Sequence, residues 1–376
     1  MTASSLSLTA STTPSTAAQD ARALRAAELR AAWDAAREAS PHARALDVAQ
    51  AHGASELELV AARIGQDVTR LRPDWGVLLP ALADLGPVMG LTRNPHAVIE
   101  KHGTWGPFSR PDPAAPVGLV LDEGLDLRLF LGPWAHVLAV VTPTPRGLRR
   151  SLQFFDAHGL ALHKVFVMED AGPAGTANFD ALVLRLQADD QSPFATVTAP
   201  TTPAPEKPDS DIDVTGFQAA WLALQDTHDF FGMLRRFGVS RTQALRLAPP
   251  GHANPVPTAS AQATLEHAAA TALPVMVFVG NRGCIEIHTG PVSKVKVMGP
   301  WLNVLDPSFN LHLRQDRVAS AFVVTKPTVD GPVTSLELFD AAGENIALLF
   351  GKRKPGLPED PAWRAFAHTL PAAGAA

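Results

Sequence analysis

The chain repeats itself. Ser151-Leu152-Gln153-Phe154-Phe155-Asp156-Ala157 returns 184 residues later as Ser335-Leu336-Glu337-Leu338-Phe339-Asp340-Ala341. At the same offset Pro143-Thr144 meets Pro327-Thr328, Val120-Leu121-Asp122 meets Val304-Leu305-Asp306, and Leu127-Arg128-Leu129 meets Leu311-His312-Leu313. With small shifts Ile99-Glu100 and His102 meet Ile285-Glu286 and His288, Gly53-Ala54-Ser55 meets Gly238-Val239-Ser240, and Trp33 meets Trp221. A repeat that keeps its order over so many segments requires one structural unit built twice.

The two copies span residues 21–190 and 214–376. Residues 191–213 between them hold five prolines from Ser192 to Asp213 and read as an extended linker. Residues 1–20, rich in Ser, Thr and Ala with no basic residue and no apolar core, read as a disordered tail rather than a secretion signal.

Within each copy helical patterns precede strand patterns. Glu28 to Gly53 and Ser55 to Ile64 have helical spacing, as do Phe217 to Phe237 and Ser240 to Ala248. Val275 to Val279, Val318 to Thr325 and Ser335 to Phe339 are β-branched or aromatic runs bounded by turn residues. Helices grouped before strands predict an α+β fold, a tandem duplication of a helix-plus-antiparallel-sheet unit, and argue against a doubly wound nucleotide fold.

Composition removes several function classes. The net charge of −5, from 37 acidic and 32 basic residues, gives no bulk attraction for nucleic acid or an anionic membrane. A single cysteine, Cys284, forms neither an internal disulfide nor a cysteine cluster, which fits the cytoplasm. No stretch approaches the ~20 apolar residues that span a bilayer, so no stable membrane insertion is expected. No phosphate loop, Gly-x-Ser-x-Gly elbow or His-Glu-x-x-His motif occurs.

His228 is the residue that stands out. Phe217, Trp221, Leu224, Phe231 and Leu234 form an apolar stripe on the expected helix, and His228 fills its gap. Such a histidine is either a satisfied core residue or a ligand, and spacing alone does not choose. Asp226 and Asp229 beside it are expected to face solvent. The corner at Gly238-Val239-Ser240 has the outline of a helix-turn-helix, a distant alternative as a DNA-binding regulator. The first copy's corner carries Glu56 and Glu58, which repel phosphate.

Longer motifs make the chain recognisable. They are Trp221-Leu222-Ala223-Leu224-Gln225-Asp226-Thr227-His228-Asp229-Phe230-Phe231, Val277-Phe278-Val279-Gly280-Asn281-Arg282-Gly283-Cys284-Ile285 and Gly299-Pro300-Trp301-Leu302-Asn303-Val304-Leu305-Asp306-Pro307. Lys326-Pro327-Thr328, Phe350-Gly351-Lys352-Arg353-Lys354-Pro355-Gly356 and, in the first copy, Leu91-Thr92-Arg93-Asn94 join them. Together they resemble the hemin-degrading, cytoplasmic haem-transport family of Gram-negative bacteria, from roughly residue 25 to 370.

The resemblance implies two similar halves with haem b (iron protoporphyrin IX) in a cleft between them. It implies His228 as the axial iron ligand, Arg241 on the propionate side, and Arg128, Phe130, Lys326 and Arg353 on the opposing sheets. Arg128 is then the candidate catalytic residue. Without it, Arg128, Lys326 and Arg353 read equally as solvated strand-face cations and Phe130 as core. Phe350 stands where the family often has tyrosine, and the chain contains no tyrosine at all. Leu348 likewise stands where a polar residue is common, so the distal pocket is expected to be less polar. The implied activity is haem binding and trafficking in iron acquisition, with a haem-delivering importer and a haem-receiving oxygenase as partners. The alternative is an enzyme, a haem-degrading oxygenase or reductant-dependent haem cleavage.

Overall fold

Two antiparallel sheets of nine strands carry the fold, and each is assembled from both copies. The computed structural model describes residues 16–41, 43–201, 205–354 and 356–373. Pro355, in one of the recognised motifs, lies outside them.

The first copy forms helices α1 (Thr16–Ala39), α2 (Ala45–Ala51), α3 (Glu56–Ala61), α4 (Trp75–Ala81) and α5 (Gly172–Leu186). Its strands are β1 (Val68–Leu71), β2 (Pro87–Arg93), β3 (Ala97–Thr104), β4 (Phe108–Ser109) and β5 (Val117–Leu121). They continue as β6 (Asp126–Phe130), β7 (Trp134–Thr144), β8 (Gly147–Asp156) and β9 (Ala161–Val167). The second copy forms α6 (Val214–Leu222), α7 (Asp229–Phe237), α8 (Arg241–Arg246), α9 (Ser260–Thr271) and α10 (Pro361–Thr369). Its strands are β10 (Ala253–Val256), β11 (Val275–Gly280), β12 (Cys284–Gly290), β13 (Val295–Met298) and β14 (Trp301–Asp306). Four more follow: β15 (Phe309–Arg314), β16 (Ser320–Lys326), β17 (Val333–Phe339) and β18 (Asn345–Gly351).

The copies exchange strands. The first sheet runs β1-β7-β8-β9-β2-β3 and continues with β15-β14-β13; the second runs β10-β16-β17-β18-β11-β12 and continues with β6-β5-β4. Three strands of each copy therefore complete the other's sheet, at the junctions β3 with β15 and β12 with β6. The halves are not two domains facing across a gap. Their inner faces share the core, where Leu127, Leu129 and Cys284 pack with Trp134 and Phe154.

Asn94 and Asn281 staple the halves symmetrically. The Asn94 side-chain amide donates to the carbonyls of Gly280 and Ile346, at 3.1 and 2.8 Å, and the Asn281 amide to those of Arg93 and Leu162, at 2.9 and 2.8 Å. Each side-chain oxygen accepts from its own turn, Asn94 from Ala97 and Asn281 from Cys284. This equivalence corrects the repeat alignment by one residue. Thr92 pairs with Ile99 and Val279 with Glu286, so Ile99 corresponds to Glu286, not Ile285. A one-residue slip exchanges the two faces of a strand, and only the corrected register keeps both residues inside.

Three local expectations change. Helix α1 begins at Thr16, inside the segment expected as tail, while residues 1–15 lie outside the described residues. The helix expected from Glu28 to Gly53 is two, α1 and α2. The helix expected from Phe217 to Phe237 is also two, because α6 ends at Leu222 and α7 starts at Asp229. The corners at Gly53 and Gly238 do match: both glycines have left-handed backbones, φ +62° and +63°. Ser55 and Ser240 then cap α3 and α8 by accepting from Glu58 and Gln243 N–H groups.

Candidate functional site

His228 is not on a buried stripe. Its side chain is 88% exposed, at the junction before α7. Past α6 the chain unwinds, and the Gln225 amide donates to the freed carbonyl of Ala223 at 3.1 Å. The break resets the helical phase, so α7 buries Phe230, Met233 and Leu234 and leaves Phe231 63% exposed.

The Asp226 carboxylate organises the turn, contrary to the expectation that it only faces solvent. It accepts the His228 backbone N–H at 2.8 Å and lies 2.5 Å from His228 Nδ1. The His228 amide, with burial opposing, and then the imidazole and Arg353 hold the Asp226 carboxyl below the usual range. In a neutral imidazole this contact places the proton on Nδ1 and leaves the Nε2 lone pair facing outward, the state a metal requires. Arg353, expected on the second-half side, thus acts on the histidine turn. That turn is tied to the β16–β17 loop, where the Val329 N–H donates to the Gln225 carbonyl at 3.0 Å.

One face of the second sheet is apolar and only half covered. Paired residues on adjacent strands share a face, so Phe278, Leu348 and Ile287 form one row, Met276 and Phe350 the next, and Gly280, Ile285 and Arg128 a third. Met276, Phe278, Ile285, Leu348 and Phe350 are all half-buried, and the Phe278 and Phe350 rings meet edge to face at 5.0 Å. From β18 to β6 this floor crosses three strand spacings, roughly 14 Å. Arg128 and Phe130 reach it from the first copy, because β6 is hydrogen-bonded to β12. The Arg128 guanidinium contacts Asp126, whose carboxyl is pushed up by burial against the pull of Arg128.

Glu337 is the residue that sequence reasoning missed. It is fully buried on β17, on this same face through its pairing with Leu348. Arg241 binds it through two nitrogens at 2.8 and 2.9 Å, and Lys326 Nζ lies 2.7 Å from one oxygen. Burial opposes ionisation, yet Arg241 and Lys326 hold the Glu337 carboxyl far below its usual range. Lys326 is buried rather than solvated, and burial lowers its own pKa. Two cations thus share one carboxylate, so the group carries a surplus positive charge. The signal was present in the repeat, where Gln153 and Glu337 differ in charge inside otherwise matching segments.

Residues 53–186 and 238–370 each match the haemin-degrading HemS/ChuX domain. The chain belongs to that family. Among HemS/ChuX relatives, the hemin transport protein HemS of Yersinia enterocolitica is 39% identical over 329 residues, 86% of this chain and 92% of that protein. The crystal structure of holo-PhuS, a heme-binding protein from Pseudomonas aeruginosa, superposes with a TM-score of 0.89 at 46% identity, covering 92% of this chain and 99% of that one. ChuS, described as an Escherichia coli heme oxygenase, superposes at 0.79 with 37% identity, covering 93% and 99%. This chain thus carries the HemS/ChuX domain twice. Among the described residues no helix is long and apolar enough to cross a membrane.

Proposed function

We propose that the chain binds one haem b on the half-covered face of the second sheet, with His228 as axial ligand, and carries it in the cytoplasm between a haem-delivering importer and a haem-consuming acceptor. The carrying observation is the imidazole itself: Nδ1 is held by Asp226 and the rest of the ring is exposed, at the start of a helix whose Phe230 packs on Lys326 and Arg241, the partners of Glu337 on the floor's own face. These groups fit the cargo, since porphyrin faces want apolar surface, propionates want cations, and iron wants a neutral imidazole. Arg241 and Lys326, with their surplus charge, suit a propionate, while Arg128 and Phe130 border the far side of the floor and Arg353 the histidine turn.

Titration of the protein with hemin tests this reading. The wild type is expected to saturate at one equivalent with a sharp Soret band. His228→Ala is expected to shift that band and weaken binding about a hundredfold or more, some 3 kcal/mol. An unchanged spectrum and affinity in the variant would remove His228 from the role.

A second reading, haem cleavage, is favoured by Arg128, a polar side chain that borders the apolar floor residues with Asp126 as its partner, and by the likeness to ChuS. Incubation of the haem complex with a reductant, followed by analysis for a linear tetrapyrrole, separates carrier from enzyme. Product formation that Arg128→Ala abolishes would establish cleavage with Arg128 as a catalytic residue.

A further inference from the structure

An exposed histidine on an irregular turn needs something to hold it. No side chain caps the start of α7; the Asp226 contact fixes the imidazole relative to its own turn, and the Val329 N–H bond to Gln225 ties the front of that turn to the β16–β17 loop. Phe230, two residues on, supplies a firm anchor. Its ring is buried, with the Trp221 ring edge-on at 4.9 Å, Lys326 Nζ 4.4 Å from its centroid and the Arg241 guanidinium carbon at 5.4 Å. Glu337 holds both cations in place. The ring is therefore caged by charges whose positions are set by β16, β17 and α8.

The duplication supplies an internal control. Counted back from the matching corners at Gly53 and Gly238, 185 residues apart, Ala43 corresponds to His228 and Ala45 to Phe230. At the same position in the corners Glu56 replaces Arg241, and Thr142 and Gln153 replace Lys326 and Glu337. Every member of the cage is missing from the copy that lacks the histidine. Mere core filling would not require that cage and imidazole appear together and vanish together.

We propose that Phe230 is a positioning residue for His228, and that Glu337 acts through it by fixing Lys326 and Arg241 against its ring. The inference rests on His228 being the iron ligand. It adds a linkage: the cations suited to a propionate are those that grip the histidine's helix, so seating the one group and ligating the iron are coupled events.

The test uses the full chain and two independent variants. Phe230→Leu removes the ring and keeps an apolar side chain; Lys326→Met removes one cation from the ring; Phe230→Tyr keeps the ring as a rescue control. In the haem-free protein, NMR resonances of the His228 imidazole are expected to broaden in the Leu and Met variants and to stay sharp in the Tyr variant. On hemin addition, the same two variants are expected to show a Soret band intermediate between wild type and His228→Ala, with affinity about tenfold weaker. The double variant Phe230→Leu/Lys326→Met should shift no further than either single one, as expected for residues acting through one contact. If neither single variant moves the imidazole resonances or the Soret band while His228→Ala does, the positioning role is wrong and the ligand assignment stands. If His228→Ala leaves the spectrum unchanged, the ligand assignment falls and this inference with it.

Discussion

The outer faces of the two sheets are the same construction with different chemistry. Register places Arg93, Val98 and His312 of the first sheet where Gly280, Ile285 and Arg128 stand in the second. Leu91, Lys164 and Glu100 take the places of Phe278, Leu348 and Ile287. Glu56, on the helix, takes Lys164 at 2.7 Å and Arg93 as partners, reversing the polarity of the second copy, where the helix carries Arg241 and the sheet carries Glu337. Ala43 stands where the imidazole does, and the neighbouring Arg44 lies 5.6 Å from the Trp301 ring centroid. Duplication therefore preserved the frame while one face became an apolar floor and the other a network of ion pairs. A backbone can be copied without copying its site.

The largest test of that comparison is to separate the copies. A fragment starting at Val214 lacks β4, β5 and β6, which leaves β12 as an open edge and uncovers Cys284, the second-copy residue in the core around Leu127 and Leu129. It is expected to aggregate or to bind hemin far more weakly than the intact chain, measured by sedimentation and Soret titration. Full affinity in a soluble fragment would break the shared-floor description.

Next in size is the charge difference at one repeated position. Glu337→Ala strands Lys326, buried with its partner gone, and is expected to cost about 3–5 kcal/mol in urea unfolding. Gln153→Ala, at the same place in the first copy, removes only a long hydrogen bond to Ser151, 3.3 Å, and should cost about 1 kcal/mol. Equal losses would mean that the second-copy ion group is no more strained by truncation than its neutral counterpart.

The third test sits at Glu286, which occupies the place of apolar Ile99. Burial pushes its carboxyl up to about 8, against the opposing pull of Thr92 and Lys101. Unfolded, it ionises near 4.5; folded, it keeps its proton until about 8. A raised folded pKa means stability is fully present below the unfolded value and falls as pH rises to the folded one. Glu286→Gln should therefore match wild type near pH 4 and gain on it steadily up to pH 8, by a few kcal/mol in all. His163, buried with its pKa lowered to about 3, removes stability below pH 6.5 in both proteins. A gap that does not change with pH would show Glu286 to be ionised in the fold.

The smallest effects come from single swaps between the faces. Ala43→His puts an imidazole at the first-copy position, but Lys164, Glu100 and Arg93 still occupy the floor, so hemin stoichiometry should stay at one. A second equivalent would show that the ligand alone defines the site. Phe350→Tyr adds a hydroxyl to the apolar floor and should alter the ferric haem spectrum while changing hemin affinity by less than about threefold. Unaltered spectra would place Phe350 away from the iron.

Much of this was legible in the chain. The repeat, the α+β class, the strands around Val275, Ser320 and Ser335, and the glycine corners all follow from local patterns, because turns and alternation are short-range. The position of His228 did not follow. Its neighbours read as one amphipathic helix, and only the Gln225 and Asp226 side chains, by hydrogen-bonding backbone groups locally, break that helix and turn the imidazole outward. An aspartate two residues before the histidine was the visible hint.

What the sequence by itself determined is the inventory: two copies of one unit, a histidine at 228 with no histidine at the matching place in the first copy, no tyrosine, and a charge swap between Glu56 and Arg241. What the tertiary structure alone decided is which of these meet. Strand exchange brings Arg128 into the second sheet, 100 residues in sequence before His228, and folding places Glu337 between Arg241 and Lys326. The physical reason is that pairing across a sheet and the sharing of a buried carboxylate depend on long-range register. No local periodicity encodes which strand lies next to which.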